Sequence, residues 1–114
     1  MDISERQKQN YYILDIIGKI NRLHDSIKLK TFISKLLEKN ILYIALNLAQ
    51  VSYLDSGALN VLIYSYNYLV KKNGTLVIIG PNEYVRDVIE IVGLNRIVKI
   101  YSSEEDFEND KENC

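Results

Sequence analysis

The chain has very few of the residues that carry metal, redox or disulfide chemistry. Its 114 residues include one cysteine, one histidine, one proline and no tryptophan. Because Cys114 is the single cysteine of these residues, a disulfide within them and a zinc site made of cysteines are excluded. The sequence therefore predicts no metal site and no cofactor.

Long apolar segments are absent as well. No apolar run approaches the ~20 residues that cross a bilayer. The polar start, residues 1–9, does not contain the apolar stretch of a signal peptide. We therefore expect a cytoplasmic protein without membrane insertion.

The composition is typical of one soluble globular domain. Hydrophobic residues make up 47% of the chain and charged residues 25%, which is enough to bury a core. The formal net charge of −1 provides no basic field, so we expect no direct nucleic-acid partner. After Ser103, six acids accompany one lysine. This end is typical of a solvated last turn and tail, and a contact for a basic partner surface is the alternative.

Strand-like and helix-like patterns alternate along the chain. Ser103 is expected to cap a short acidic helix, and Asn73-Gly74 is expected to end an earlier one, with Gly74 in the left-handed conformation. This alternation predicts a single α/β domain, with a mostly parallel or mixed sheet of four to five strands and about four helices. The predicted strands are 11–17, 41–48, 75–79 and 97–101, and the helices begin near Asp25 or Ser26, Ser56, Asn82 and Ser103.

Domain boundaries follow from the same patterns. We predict a flexible N-terminus at residues 1–9, a folded domain at residues 10–108 and an acidic C-terminal tail at residues 109–114.

Ser56 is the strongest candidate for a functional side chain. It lies in Asp55-Ser56-Gly57, between an apolar run and a strong helical pattern. One interpretation is structural, with the Ser56 hydroxyl as the N-cap of the following helix, worth roughly 1 kcal/mol. The other is that Ser56 is a phosphoacceptor at a helix N-terminus, where the helix dipole favours an anion.

Enzymatic interpretations have little support in the sequence. A hydrolase or nucleotide-binding protein would have to use Ser56, Asp55 and the single histidine, His24. The serine lacks the G-x-S-x-G elbow, and neither glycine-rich phosphate loop is present. We therefore expect no enzyme, and keep this hypothesis only as a third alternative.

A run of residues from Val51 to Leu62 resembles the signature of STAS domains, the family of bacterial anti-sigma factor antagonists. The run reads Val-Ser-Tyr-Leu-Asp-Ser-Gly-Ala-Leu-Asn-Val-Leu. The resemblance extends through residues 71–79, 85–86 and 92–97 and covers about residues 10–108. It departs from the family where Gly57 replaces a serine or threonine, Ala58 and Asn60 replace glycines, and Asn21 replaces an aspartate.

The resemblance implies that Ser56 is the phosphoacceptor of a regulatory binding module. It places Asn21, Asp55, Gly57 and Asn60 in the surface that contacts the partner. The implied partners are an anti-sigma factor that is also the serine kinase, and a phosphoserine phosphatase. Docking of the unphosphorylated form to the kinase would release the sigma factor and so regulate transcription. We expect a monomer or weak dimer.

A second role keeps the fold and changes the function. Other single STAS proteins are scaffolds of signalling complexes or small subunits of a lipid-transporter ATPase. In such a constitutive role, Ser56 would be only a helix N-cap.

Overall fold

The computed structural model describes residues 1–110, in which five strands and four helices follow one another along the chain. A short 3-10 helix, Leu94–Arg96, precedes the last strand. The strands are β1 (Asp2–Lys8), β2 (Tyr11–Ile20), β3 (Tyr43–Leu54), β4 (Thr75–Ile79) and β5 (Lys99–Tyr101), and the helices are α1 (Leu23–Glu38), α2 (Ser56–Lys71), α3 (Glu83–Ile91) and α4 (Glu104–Asn109). The predicted α/β class is confirmed.

The five strands form one mixed sheet in the order β1-β2-β3-β4-β5. Strand β1 pairs antiparallel with β2, and the other neighbours pair parallel. The prediction of a flexible segment at residues 1–9 is therefore wrong, because Asp2–Lys8 form an edge strand. A strand at the edge of a sheet can pair with its neighbour through the backbone while its side chains remain polar and exposed.

Strands β2 and β3 are longer than the sequence predicts. Gly18 does not end β2; it adopts a φ of +110° beside a shift in the β2–β3 register, and the strand continues to Ile20. Such irregularities bend a strand without ending it. Because β3 likewise continues to Leu54, both strands end at the same edge of the sheet, where Ile20 lies opposite Leu54.

The two faces of the sheet belong to two separate cores. The larger core lies on one face and contains residues of α1, β3, α2 and α3. Leu46, Leu62 and Ile89 belong to it. The core on the other face is smaller, and α4 covers it with Phe107, whose side chain is fully buried. Helix α2 buries Leu59, Leu62 and Leu69, whereas its apolar residues Ile63 and Val70 are exposed.

The acidic end of the chain is paired with two basic side chains of the edge strand β1. Arg6 of β1 donates to Glu104 at 2.6 Å and to Asp15 at 2.7 Å, and Lys8 contacts both Glu104 and Glu108. Ser103 caps α4 as predicted, its hydroxyl accepting from the amide of Asp106 at 3.1 Å. The acids at 104 and 108 are therefore not part of a solvated tail. Residues 111–114, with Cys114, lie outside the described residues.

Acid should weaken the contact between α4 and β1. Hydrogen bonds from Arg6 lower the pKa of Glu104 to about 2, so this carboxylate stabilises the fold above its unfolded pKa of 4.5. That stabilisation is lost as the pH falls toward 2, and because the pair is partly exposed it is on the order of 1 kcal/mol. Urea unfolding at pH 7 and pH 3 tests this, and Glu104→Gln should lose less stability on acidification than the wild type. Equal losses of stability in the wild type and Glu104→Gln would show that the pair of Arg6 and Glu104 does not stabilise the fold.

Candidate phosphorylation and partner-binding site

The carboxyl ends of β2 and β3 bring the predicted site residues together. The amide of Asp55 donates to the carbonyl of Ile20 at 2.9 Å, which joins the two strand ends directly. Asn21 follows Ile20, so Asn21 and Asp55 lie at the same edge of the sheet. Functional side chains in open α/β sheets collect at this edge.

Asp55, not Ser56, caps helix α2. The backbone of Asp55 is extended (φ −99°, ψ −175°), and its Oδ1 accepts from the amide of Ala58 at 2.9 Å. The prediction that Ser56 is the N-cap is therefore wrong. Because β3 runs to Leu54, Asp55 is the last residue with extended backbone before the helix, and an N-cap residue has that conformation.

Ser56 is the first residue of α2, and its side chain is exposed. Within residues 1–110, the Ser56 hydroxyl has no hydrogen-bond partner. The first turn of α2 contains no acidic residue, whereas its last turn ends at the basic Lys71. The Ser56 hydroxyl is therefore exposed at the positive end of the α2 dipole.

Gly57 allows helices α1 and α2 to approach closely. A Cβ at position 57 would lie 3.2 Å from Oγ of Ser26 and 3.3 Å from Oδ1 of Asp55. Ser26 is buried in the first turn of α1, and its hydroxyl donates to the carbonyl of Leu23 at 3.1 Å. The glycine that departs from the family signature is thus the point where α1 meets the site.

The start of α1 also differs from the prediction. Asp25 or Ser26 was expected to cap this helix, but α1 begins at Leu23, and Arg22 is the N-cap residue without a side-chain cap. The buried Asp25 carboxylate accepts from the amide of Asn21 at 3.4 Å and lies 3.8 Å from Nε of Arg22. Asp25 therefore holds the loop that carries Asn21. Helical periodicity alone does not predict this role, and the one signal for it in the sequence is an acid in the first turn of a helix.

Asn60 and His24 complete the placement of the predicted residues. Asn60 is exposed one turn after Ser56 on α2. His24 is exposed in the first turn of α1, and it has no hydrogen bond to Ser56 or Asp55 among the described residues. No group of three or more metal-ligating side chains occurs in residues 1–110. The part of the chain described here contains no Ser-His-Asp arrangement.

Surface tyrosines extend this edge toward α3. Tyr53 and Tyr84 stack with ring centroids 5.5 Å apart and an interplanar angle of 16°. Tyr53 also lines an open depression of about 490 Å³ with Lys19, Asn21 and Ser52. Local sequence patterns do not reveal this pair, because Tyr53 belongs to β3 and Tyr84 to α3.

Solved structures share this architecture. The chain superposes on a Thermotoga maritima protein described as a candidate anti-sigma factor antagonist with a TM-score of 0.85, 27% identity, and coverage of 93% of this chain and 92% of that chain. The anti-sigma-B factor antagonist of Listeria monocytogenes is 27% identical over 104 residues, 91% of this chain and 90% of that protein. The fold is thus that of an α/β domain similar to these two proteins.

The family assignment follows from the whole chain. The model of the STAS domain matches residues 2–107, and the chain belongs to the STAS domain family. A Thermotoga neapolitana protein, described as a candidate anti-sigma factor antagonist, is 34% identical over 74 residues. That alignment spans 65% of this chain and 66% of the relative, a little under two thirds of each. None of the helices in residues 1–110 is both long and apolar enough to cross a membrane.

Proposed function

We propose that this protein is an anti-sigma factor antagonist whose docking to an anti-sigma factor is switched by phosphorylation of Ser56. The observation that carries the proposal is the exposed Ser56 hydroxyl at the first position of α2, left without a partner in residues 1–110 because Asp55 caps the helix. A kinase can reach this hydroxyl without unfolding the domain. The names of the Listeria and Thermotoga relatives support the same role.

The physical effect of the phosphate is local. It adds about −1.5 to −2 charges at one surface point, beside the Asp55 carboxylate. The N-terminal end of α2 stabilises an anion there, so the domain stays folded. Docking becomes unfavourable because the dianion raises the cost of desolvating this surface and repels acidic groups of the partner.

The proposed partners are an anti-sigma factor that is also the serine kinase, and a phosphatase that restores the serine. Asn21, Gly57 and Asn60 form the docking surface around Ser56 and Asp55. In this role the protein is a binding module and not an enzyme, and it acts in the cytoplasm on the regulation of transcription. We propose no metal or cofactor on this chain itself; the kinase supplies the nucleoside triphosphate whose terminal phosphoryl group passes to the Ser56 oxygen, and the nucleoside diphosphate leaves.

The test compares Ser56→Ala and Ser56→Asp in binding to each anti-sigma factor kinase of the source genome, purified singly. Ser56→Ala should bind as the unmodified protein does, and Ser56→Asp should bind at least about tenfold more weakly, since its charge mimics part of the phosphate. Ser102→Asp, an exposed serine before α4, is the charge-matched control and should bind normally. Isothermal titration calorimetry gives the affinities.

Equal binding by Ser56→Ala and Ser56→Asp would overturn the switch. Mass spectrometry of the protein from its native cells provides the second readout. A constitutive scaffold or transporter subunit needs no phosphoserine, so its absence under all growth conditions would favour that role instead. The capping role that this alternative gave to Ser56 is filled by Asp55.

A further inference from the structure

Two apolar side chains lie exposed on the first turns of α1. Leu23 is 76% exposed and Ile27 is 54% exposed, although both are large aliphatic residues. They are four residues apart on one helix and therefore neighbour each other on its surface. Contact of such an apolar pair with water is unfavourable, so a partner that covers the pair gains binding free energy.

The close approach of Gly57 to Ser26 joins the turn of α1 that carries this pair to the first turn of α2, which begins at Ser56. Ser26 lies between Leu23 and Ile27 in the helix, and it is the residue that a Cβ at position 57 would crowd, at 3.2 Å. The hydroxyl of Ser26 donates to Leu23, which ties the first turn of α1 to this contact. The first turns of α1 and α2 therefore form one continuous surface.

The charges around the apolar pair have one sign. At the start of α1, the N-cap residue Arg22 and the helix residues Lys28 and Lys30 are exposed, whereas Asp25, the acid of this segment, is buried. Helix α2 contains no acidic residue from Ser56 to Lys71. The surface is thus an apolar centre with a basic rim on the α1 side, and the half-buried Asp55 carboxylate, which accepts from the amide of Ala58, lies at the start of α2.

We infer that Leu23 and Ile27 are the apolar anchors of the docking surface, and that they fit an apolar groove rimmed by carboxylates on the anti-sigma factor. This inference rests on the proposed function for the identity of the partner. Charge complementarity favours an acidic rim. It disfavours a second copy of this chain, because a symmetric contact would bring two basic rims together. An acidic rim is also what a phosphate on Ser56 would repel.

The test measures binding of Leu23→Ser, Ile27→Ser and the double variant to the purified anti-sigma factor kinases. Each single change should weaken binding about tenfold and the double change about a hundredfold, the range of buried interface anchors. Ile91→Ser is the matched control, because Ile91 is 83% exposed at the far end of α3. Its affinity should change by less than about twofold.

Charge is tested separately. Arg22→Glu should weaken binding and reduce its dependence on salt, since it removes one cation facing the carboxylate rim. Circular dichroism and urea unfolding establish that each variant is folded. If Leu23→Ser unfolds, Leu23→Gln provides the second variant, because glutamine is a better helix former.

The outcomes separate the two proposals. Normal binding by the double variant, with Ser56→Asp still weakened, overturns the anchors and leaves the proposed function standing. Weak binding by the double variant with normal binding by Ser56→Asp supports the anchors and overturns the switch. If no purified kinase binds the wild type, both fall. Self-association in sedimentation, or binding to phosphatidylglycerol vesicles, that the double variant abolishes would overturn the inference in favour of a second copy or a bilayer.

Discussion

Replacing Phe107 with alanine is expected to lower the free energy of unfolding by about 3–5 kcal/mol. The Phe107 ring is fully buried on the second face of the sheet. It packs edge-to-face against Tyr11 and Tyr101, with centroid distances of 5.1 and 5.5 Å. Because α4 has only six residues, no other side chain of that helix can fill the cavity left behind. A loss of this size is a large part of the stability of a small domain.

The other phenylalanine provides the matched control. Phe32 on α1 is only half-buried, so Phe32→Ala should cost clearly less than Phe107→Ala. Urea unfolding measured by circular dichroism gives both values. A second readout is Tyr11, because burial raises its pKa to about 12, and this value should fall toward 10 when the ring of Phe107 is removed. Equal losses in the two variants, with an unchanged Tyr11 pKa, would show that α4 does not cover the second core.

Local patterns predicted the parts of the fold that depend on apolar periodicity. The alternation of strands and helices, the strand Thr75–Ile79 and the Ser103 cap before Phe107 are confirmed. Strand β1 was missed because its side chains are mostly polar and show no apolar alternation, although its ladder with β2 is local. Arg6 pairs with Glu104, 98 residues later, and no local window contains both. Such a pair depends on α4, which follows the edge strand β5 and packs across the second face of the sheet to reach β1 at the opposite edge.

The candidate site shows a different limit. Aspartate and serine are both good N-caps, so the types of residues 55 and 56 do not decide which one caps the helix. The decision depends on where β3 ends, and that strand runs six residues beyond the predicted end at Leu48 because a register shift keeps it paired with β2. The length of β3 therefore makes Asp55 the N-cap, so that the hydroxyl of Ser56, the proposed phosphoacceptor, does not cap the helix.

Gly74 shows how a glycine can be required for a reason other than the predicted one. The sequence predicts a left-handed Gly74, yet Asn73 adopts that conformation, with a φ of +61°. At Gly74, a Cβ would lie only 2.5 Å from the carbonyl oxygen of Leu42 and 3.0 Å from Leu69. That carbonyl accepts the amide of Thr75 at 2.8 Å, which is the start of the pairing between β4 and β3. Gly74 is therefore required for close approach.

Two substitutions at this turn separate the explanations. Asparagine tolerates the left-handed conformation, so Gly74→Asn would cost little if conformation were the requirement. The structure instead predicts that Gly74→Ala and Gly74→Asn each lower the free energy of unfolding by about 1–3 kcal/mol, because the Leu42 carbonyl must move. Asn73→Gly is the control and should change stability by less than about 1 kcal/mol, since glycine also adopts a positive φ. Urea unfolding decides: a Gly74→Asn variant as stable as the wild type would refute the close-approach explanation.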